Sequence, residues 1–299
     1  MPTVIECVPN FSEGRRKDVV DRIAYSIGSV PGVKILDVEM DADHNRSVIT
    51  FVGGKDGVKE AAFRAARAAS ELIDLTKHKG EHPRMGALDV LPFIPLQGVS
   101  IDDCVEIANS VAARIARQLH IPVYLYESAA RSSDRRNLEA VRKGQFEGLR
   151  DSIMIDDSRY PDFGPRAVHP TAGAIAIGVR MPLIAFNVNL RSEDLGAAKE
   201  IAKKIRTSGG GMPNLKALGF ALKEKGMVQV SMNLTDYTVT PISKVFDEVR
   251  RESEARGIEV AEGELIGLIP LEAICDITSR FLMLPGFTSQ QILERRIWC

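Results

Sequence analysis

The stretch VKILDVEMDADHNRSVITFV, residues 33–52, decides the fold. Residues 33–41 and 46–52 are rich in β-branched and other apolar side chains, as strands are. Between them, ADHN at residues 42–45 has the composition of a tight turn. The stretch therefore predicts an antiparallel hairpin.

The segments on either side of this hairpin extend the pattern. Residues 3–8 predict a strand, and apolar residues at helical spacing follow it, with Ser12 as a capping candidate and an end near Gly28. After the hairpin, residues 58–75 predict a second helix and residues 90–94 a strand. The order βαββαβ is that of a ferredoxin-like domain, in which two helices cover one face of an antiparallel sheet.

Three more elements and an irregular segment complete the first half of the chain. Residues 101–119 predict a helix, 123–126 a strand and 134–143 a basic helical segment, whereas the proline-rich residues 144–182 predict an irregular connection.

From residue 183 the order βαββαβ returns. Strands are predicted at residues 183–190, 217–223, 228–234 and 258–266, and helices at residues 193–206, 241–256 and 271–281. We expect an α/β (α+β) protein of two ferredoxin-like βαββαβ subdomains, residues 1–180 and 181–299. Because each sheet has one uncovered face, we expect the two to pack sheet-to-sheet with a ligand cleft or tunnel between them.

Composition excludes several classes of protein. Lys and Arg number 39 against 40 Asp and Glu, so a net charge of −1 gives no general preference for nucleic acid or anionic membranes. The four cysteines form no CxxC pair, which argues against a disulfide framework and a zinc knuckle. With no leader-like start and no apolar window long enough to span a bilayer, we expect a cytoplasmic protein.

The polar cluster KHKGEHPRMG, residues 77–86, follows the second predicted helix. It contains the H-x-x-E-H string of a class of zinc peptidases, but that site needs a helix, which Gly80 and Pro83 disfavour. His82 is then either a structural histidine or a catalytic acid or base, since imidazole exchanges protons near neutral pH.

Two other stretches are candidates for binding. Asp37, Glu39, Asp41 and Asp43 alternate towards His44 and Arg46, either as a solvated strand face or as a wall that holds a cation. DFGPRAVHPTAG, residues 162–173, is either a domain connection or a site for a planar ligand, because it combines an aromatic ring, a cation, an imidazole and glycines.

Long strings over nearly the whole chain resemble the glutamate formiminotransferase (glutamate formimidoyltransferase) family. They are VIECVPNFSEG at 4–14, DHNRSV at 43–48, KHKGEHPRMG at 77–86, RKGQFEG at 142–148, PDFGPRAVHPTAG at 161–173 and AFNVN at 185–189. The resemblance implies transfer of a formimino group from N-formimino-L-glutamate to N5 of tetrahydrofolate in histidine breakdown. It also implies two ferredoxin-like subdomains with a ligand tunnel, a homodimer, and tetrahydrofolate as co-substrate. The transfer chemistry itself requires no metal.

The resemblance also implies roles for particular residues. It makes His82 catalytic and assigns folate contacts to Phe163, Gly164, Pro165, Arg166, Ala167, Val168, His169, Pro170, Thr171 and Ala172. From charge alone, we expect the substrate carboxylates, including those of a polyglutamate tail, to meet Arg46, Lys77, Lys79, Arg84 or Arg166. The cationic amidinium would lie near Asp43 or Glu39, with His44 close by.

Three alternatives stay open at this point. The same site would also suit N-formylglutamate as the donor, which differs from the formimino compound by O in place of NH. A metal-dependent hydrolase would use Asp43, His44, His78 and His82 as ligands. A folate-binding protein without catalysis would keep residues 163–172.

Overall fold

The computed structural model describes residues 3–80 and 83–298. The chain folds as two compact units, Met1–Arg180 and Met181–Cys299. Within the described part of the chain, no helix combines the length and the apolar character needed to cross a bilayer.

The first unit holds one seven-stranded sheet. Its strands are β1 (Val4–Cys7), β2 (Asn10–Phe11), β3 (Val33–Asp41), β4 (Arg46–Gly53), β5 (Leu88–Gln97), β6 (Val123–Glu127) and β7 (Ile175–Val179). Its helices are α1 (Lys17–Gly28), α2 (Lys55–Leu72), α3 (Ile101–Leu119), α4 (Leu138–Val141) and α5 (Gln145–Ser152).

β1 and β2 behave as one interrupted strand at the centre of this sheet. Both pair antiparallel with β4 on one side and with β5 on the other, and β3 pairs with β4. This is the ferredoxin-like strand order. β7 then pairs parallel with both β5 and β6, which widens the sheet on one side.

The two faces of the sheet differ in character. Ile49 and Phe51 of β4 point into the apolar core with α1, α2 and α3. The alternate residues Arg46 and Thr50 point to the opposite face, where the strand register adds Asn10 and Glu39. We call this opposite face, with Asn10, Glu39, Arg46 and Thr50, the polar face. Its other half, over β5, β7 and β6, is covered by an apolar cluster that includes residues from α4 and α5.

The second unit repeats the ferredoxin-like order, so the predicted duplication of the fold is confirmed. Its elements are β8 (Ile184–Leu190), α6 (Leu195–Ile205), β9 (Leu215–Leu222), β10 (Met227–Leu234), α7 (Ile242–Glu254), β11 (Val260–Ile266), α8 (Leu271–Phe281) and α9 (Leu293–Trp298). The strands are antiparallel in the order β11-β8-β10-β9. The predicted packing of one sheet on the other stays a prediction.

The prediction for residues 144–182 was wrong in part. This segment contains α5 and the buried strand β7, and the predicted helix at 134–143 is reduced to a 3₁₀ turn and the short α4. In β7, Ile175 and Ile177 enter the main core while Ala176 enters the smaller cluster on the other face. A parallel strand that is buried on both faces has no polar alternation, so it resembles an apolar linker.

The chain before β7 also explains why α2 ends at Leu72 rather than at residue 75. The Leu75 amide donates to the Thr171 carbonyl at 2.8 Å, which draws the chain out of the helix. Next to it, residues 172–174 run beside residues 85–87, with Ala87 N to Ala172 O and Ala174 N to Met85 O both at 2.9 Å.

A buried ion cluster joins the strands below the polar face. Asp89 is fully buried, and its Oδ2 lies 3.1 Å from Arg46 Nη1 and 2.6 Å from Arg142 Nη2. Its Oδ1 accepts from the Met85 amide at 2.7 Å. Burial raises the pKa of the Asp89 carboxyl, whereas the guanidinium groups of Arg142 and Arg46 lower it. Their combined effect is larger than that of burial, so the pKa lies below its ordinary value. Asp89 is therefore ionised at neutral pH.

We predict that Asp89→Asn lowers the free energy of unfolding by about 3–5 kcal/mol, because two largely buried guanidinium groups lose their counter-charge. Urea unfolding measures the change. Asp21→Asn is the matched control, since Asp21 pairs with Lys17 on the exposed surface of α1 and such a pair contributes about 0.5 kcal/mol or less.

We also predict that the stability difference between wild type and Asp89→Asn depends on pH. Because the folded-state pKa of Asp89 is depressed, its stabilisation is complete above the unfolded value of about 3.9 and is lost as pH falls through the folded value. The difference between wild type and Asp89→Asn should shrink over that acidic range. A difference that is constant down to the acid transition would contradict the assignment.

We predict that Gly173→Ala also destabilises the first unit. Gly173 has a φ of 69°, and a Cβ atom there would collide with the Met85 carbonyl oxygen. The backbone strain alone costs about 1–3 kcal/mol. Gly148→Ala in α5 is the control, because its Cβ would meet no atom within 4 Å outside the backbone of its own helix, and the change should stabilise the helix by about 0.5–1 kcal/mol.

Candidate functional site

The turn between β3 and β4 is built around the buried Asn45. This residue has a φ of 50°, a left-handed conformation that Asn adopts more readily than most residues. Its Oδ1 accepts from the Gly14 amide at 2.9 Å, and its Nδ2 donates to the Lys79 carbonyl at 3.1 Å. Two segments that are distant in sequence are thereby fastened to the hairpin.

The predicted binding residues at the tip of this turn are exposed. His44 Nδ1 lies 2.7 Å from Asp41 Oδ2, and the His44 amide donates to Asp41 Oδ1 at 2.8 Å. Asp43 lies in the turn and is exposed. Asp41 therefore acts as the side-chain acceptor that shapes the turn, whereas the half-buried Glu39 points to the polar face.

His78 and Arg84 are joined by a hydrogen bond across residues 79–83. His78 Nε2 lies 2.9 Å from the Asn45 carbonyl oxygen, and Arg84 Nε donates to His78 Nδ1 at 3.2 Å. Arg84 also donates from Nη1 and Nη2 to both carboxylate oxygens of Glu147, at 2.8 and 2.7 Å. These bonds from Arg84 lower the pKa of Glu147 to about 2, so this bidentate pair is fully charged at neutral pH.

The predicted catalytic residue, His82, lies outside the described residues together with Glu81. Gly80, which lies two residues before His82, passes so close to the turn that a Cβ atom would collide with the His44 carbonyl oxygen. No helix includes residues 77–80 or 83–84, whereas a zinc site of the H-x-x-E-H type needs both histidines on one helix. Among the residues that the structure describes, no three His, Cys, Asp or Glu side chains are placed to hold a metal ion.

The segment at residues 163–172 is held by contacts with the rest of the first unit and by contacts within the segment. Phe163 packs against the main core, and the Arg131 guanidinium lies 4.3 Å from the centre of its ring. Gly164 has a φ of 95°, and the Ala172 amide donates to His169 Nδ1 at 3.0 Å. Burial lowers the pKa of His169, which keeps this nitrogen an acceptor at neutral pH.

The predicted basic residues divide into two groups. Lys77 pairs with Asp74 at 3.2 Å but is 84% exposed, and Lys79 is also exposed. Arg166 instead stacks 3.2 Å from the centre of the Tyr160 ring and donates to the Ile153 carbonyl and to Asp157. The guanidinium groups of Arg46, Arg84 and Arg166 thus take part in contacts within the protein.

A cleft of about 410 Å³ opens beside His78. Its charged lining consists of Glu13, Arg15, Arg16, Asp74 and Lys77. The Glu13 carboxylate accepts the Arg15 and Arg16 amides, both at 2.9 Å, and so places a negative charge at the start of α1.

The structure brings several of these residues together through partners that local sequence patterns do not single out. They are Asn45, Asp89 and Glu147, none of which belongs to a recognisable catalytic motif. The available signal is position, since Asn45 and Glu147 lie inside the strings DHNRSV and RKGQFEG and Asp89 lies just after KHKGEHPRMG.

Comparison with known proteins gives consistent matches along the chain. Residues 4–180 match the family described as "Formiminotransferase domain, N-terminal subdomain", and residues 185–289 match "Formiminotransferase domain". The chain is 46% identical to the glutamate formimidoyltransferase of Streptococcus pyogenes serotype M1, over 99% of both chains. It is 48% identical to that of Thermoplasma acidophilum, over 99% of this chain and 97% of the relative.

A longer relative matches over part of its length. The formimidoyltransferase-cyclodeaminase of Mus musculus is 45% identical over 92% of this chain, which corresponds to 52% of the mouse protein. Family matches over both units, together with near full-length relatives of 46–48% identity, show that this chain belongs to the formiminotransferase family.

Proposed function

We propose that this protein transfers the formimino group of N-formimino-L-glutamate to N5 of tetrahydrofolate, giving 5-formiminotetrahydrofolate and L-glutamate in histidine degradation. The observation that carries this proposal is the identity of 46–48% to two glutamate formimidoyltransferases over almost the whole chain. We assign the two subdomains to residues 1–180 and 181–299, and the family matches over residues 4–180 and 185–289 support this division.

The reaction needs one proton to move between two nitrogens. N5 of tetrahydrofolate attacks the amidine carbon, and a C–N bond forms in a tetrahedral intermediate. N5 then loses its proton, the glutamate nitrogen gains one, and the bond from carbon to that nitrogen breaks. The resemblance to the family implies that His82 is catalytic, and in our proposal it takes the proton from N5 and returns it to the leaving nitrogen.

Proton transfer accounts for part of the rate only. A well-placed acid or base contributes roughly 10²–10⁴-fold, so much of the remainder must come from holding two substrates in reactive geometry. The described flanks of His82 support this role, since Gly80 abuts the hairpin turn and Arg84 is paired with Glu147. A catalytic group gains most from such anchored neighbours.

Charge and exposure suggest which side chains meet the substrates. We assign substrate carboxylates to Lys77 and Lys79, because both are exposed, and a supporting role to Arg84, whose guanidinium is paired. The amidinium would lie near Glu39 rather than near Asp43 at the turn. Burial, followed by the charge of Asp37, raises the pKa of Glu39, so a neighbouring cation would stabilise its ionised form.

Folate is assigned to residues 163–172, as the resemblance implies. The end of this segment supports the assignment, because Thr171 and Ala172 accept from the amides of Leu75 and Ala87, which flank the segment that contains His82. The homodimer and the cytoplasmic location stay predictions, and sedimentation velocity tests the first.

We predict that purified protein transfers the formimino group to tetrahydrofolate and that His82→Ala lowers kcat by about 10²–10⁴-fold, because the proton shuttle is lost. Tetrahydrofolate affinity should change little. The measurement is absorbance of the folate product with formiminoglutamate as donor, and N-formylglutamate is run in parallel to identify the preferred donor.

His120→Asn is the matched control, because His120 is an exposed helix cap with a φ of 56°, which Asn accommodates. It should retain wild-type kcat. Full activity of His82→Ala would remove the proposed shuttle. Folate binding without turnover of either donor would instead support the alternative of a non-catalytic folate-binding protein.

A further inference from the structure

We propose that His78 is a positioning residue, a neutral imidazole with its proton on Nε2 that holds residues 78 and 84 at the correct separation for catalysis. This inference rests on the proposed function, because the contact between His78 and Arg84 matters for catalysis only if His82, which lies between them in the sequence, is the catalytic residue.

The hydrogen-bond partners define the state of the ring. A carbonyl oxygen only accepts, so the 2.9 Å contact with Asn45 O requires a proton on His78 Nε2. An arginine Nε only donates, so the 3.2 Å contact with Arg84 requires a free lone pair on His78 Nδ1. Both contacts form at once only in the neutral Nε2–H tautomer.

Both ends of this bridge are themselves anchored. On one side, Asn45 is bound to Gly14 and Lys79. On the other, the Arg84 guanidinium is bound to Glu147, and the Phe146 amide donates to the Arg84 carbonyl at 2.9 Å. His78 therefore completes a series of contacts from α5 to the β3–β4 turn. The link between His78 and Arg84 in this series joins the two ends of the segment at residues 79–83.

The surroundings disfavour protonation of His78. Burial lowers the pKa of the imidazole, Arg84 and Arg15 lower it too, and the Asn45 carbonyl and Glu13 act in the opposite direction. The nearby cleft adds Arg16, Asp74 and Lys77 to the charges around it. A proton on His78 Nδ1 would place this N–H donor opposite the Nε–H donor of Arg84. It would also place a positive imidazolium beside the positive guanidinium.

This arrangement also separates His78 from the proposed shuttle. Both of its ring nitrogens are used within the protein, so neither is free to exchange a proton with substrate while the contacts persist. Because its folded-state pKa is depressed, the stabilising contact is present above the unfolded value of about 6.5 and is lost as pH falls through the folded value.

A pair of substitutions tests the inference. His78→Gln retains one donor and one acceptor but cannot be protonated, whereas His78→Leu has similar bulk and neither group. We expect His78→Gln to keep kcat within about threefold of wild type and His78→Leu to lose about 10- to 100-fold, with KM for tetrahydrofolate changed less than kcat. On acidification, kcat of wild type should fall more than kcat of His78→Gln.

Equal kcat for wild type and His78→Leu would overturn the inference, as would a loss in His78→Gln as large as that in His78→Leu. If His78→Leu fails to fold, Glu147→Ala disturbs the same series of contacts from its half-exposed end. It should lower kcat about tenfold, whereas Asp151→Ala on the same helix, which breaks only the exposed pair with Arg150, should leave kcat unchanged. Equal kcat for these two variants would also overturn the inference.

Nitrogen-15 NMR of histidine-labelled protein provides a readout that does not depend on activity. The signal absent from His78→Gln should report a neutral Nε2–H ring at neutral pH, and a protonated or Nδ1–H ring would contradict the inference. If wild type transfers no formimino group, the proposed function fails, yet the spectrum still decides whether the bridge exists.

Discussion

The burial of Asp89 between two guanidinium groups is the constraint on which the polar side of the first unit depends. A carboxylate with no exposed surface is stable only if its charge and its oxygens are matched. Arg46 brings β4 to it, Arg142 brings the end of α4, and the Met85 amide brings the chain that enters β5. One side chain thus fixes where three separate segments meet.

From this cluster the order extends to the segment around residues 78–84. Arg46 also donates to Asn10 Oδ1 at 2.6 Å. It lies two residues after His44, which belongs to the turn between β3 and β4. Asn45 and His78 carry the connection to Arg84, which returns to α5 through Glu147. Apolar packing determines the sheet and its helices, whereas these polar contacts determine the positions of its loops.

Local patterns predict the parts of this molecule that local physics determines. The alternation in residues 33–52 predicts β3 and β4, and helical spacing predicts α1, α3 and α6, because one face of each must be apolar. β7 was missed because burial on both faces removes the alternation. The end of α2 was misplaced because a hydrogen bond to Thr171, almost one hundred residues away, competes with the helix.

Local sequence patterns also fail to predict which charged residues of the candidate site are available to substrate. From sequence, Arg46, Arg84 and Arg166 resemble Lys77 and Lys79 as partners for substrate carboxylates. The fold separates them, because a planar guanidinium can satisfy a buried carboxylate or several carbonyl oxygens at once, whereas an ammonium is strongly hydrated. Arginine therefore serves here to hold polar segments together and lysine stays exposed. A positive charge in a site string is consequently weak evidence for substrate binding until its partners within the protein are known.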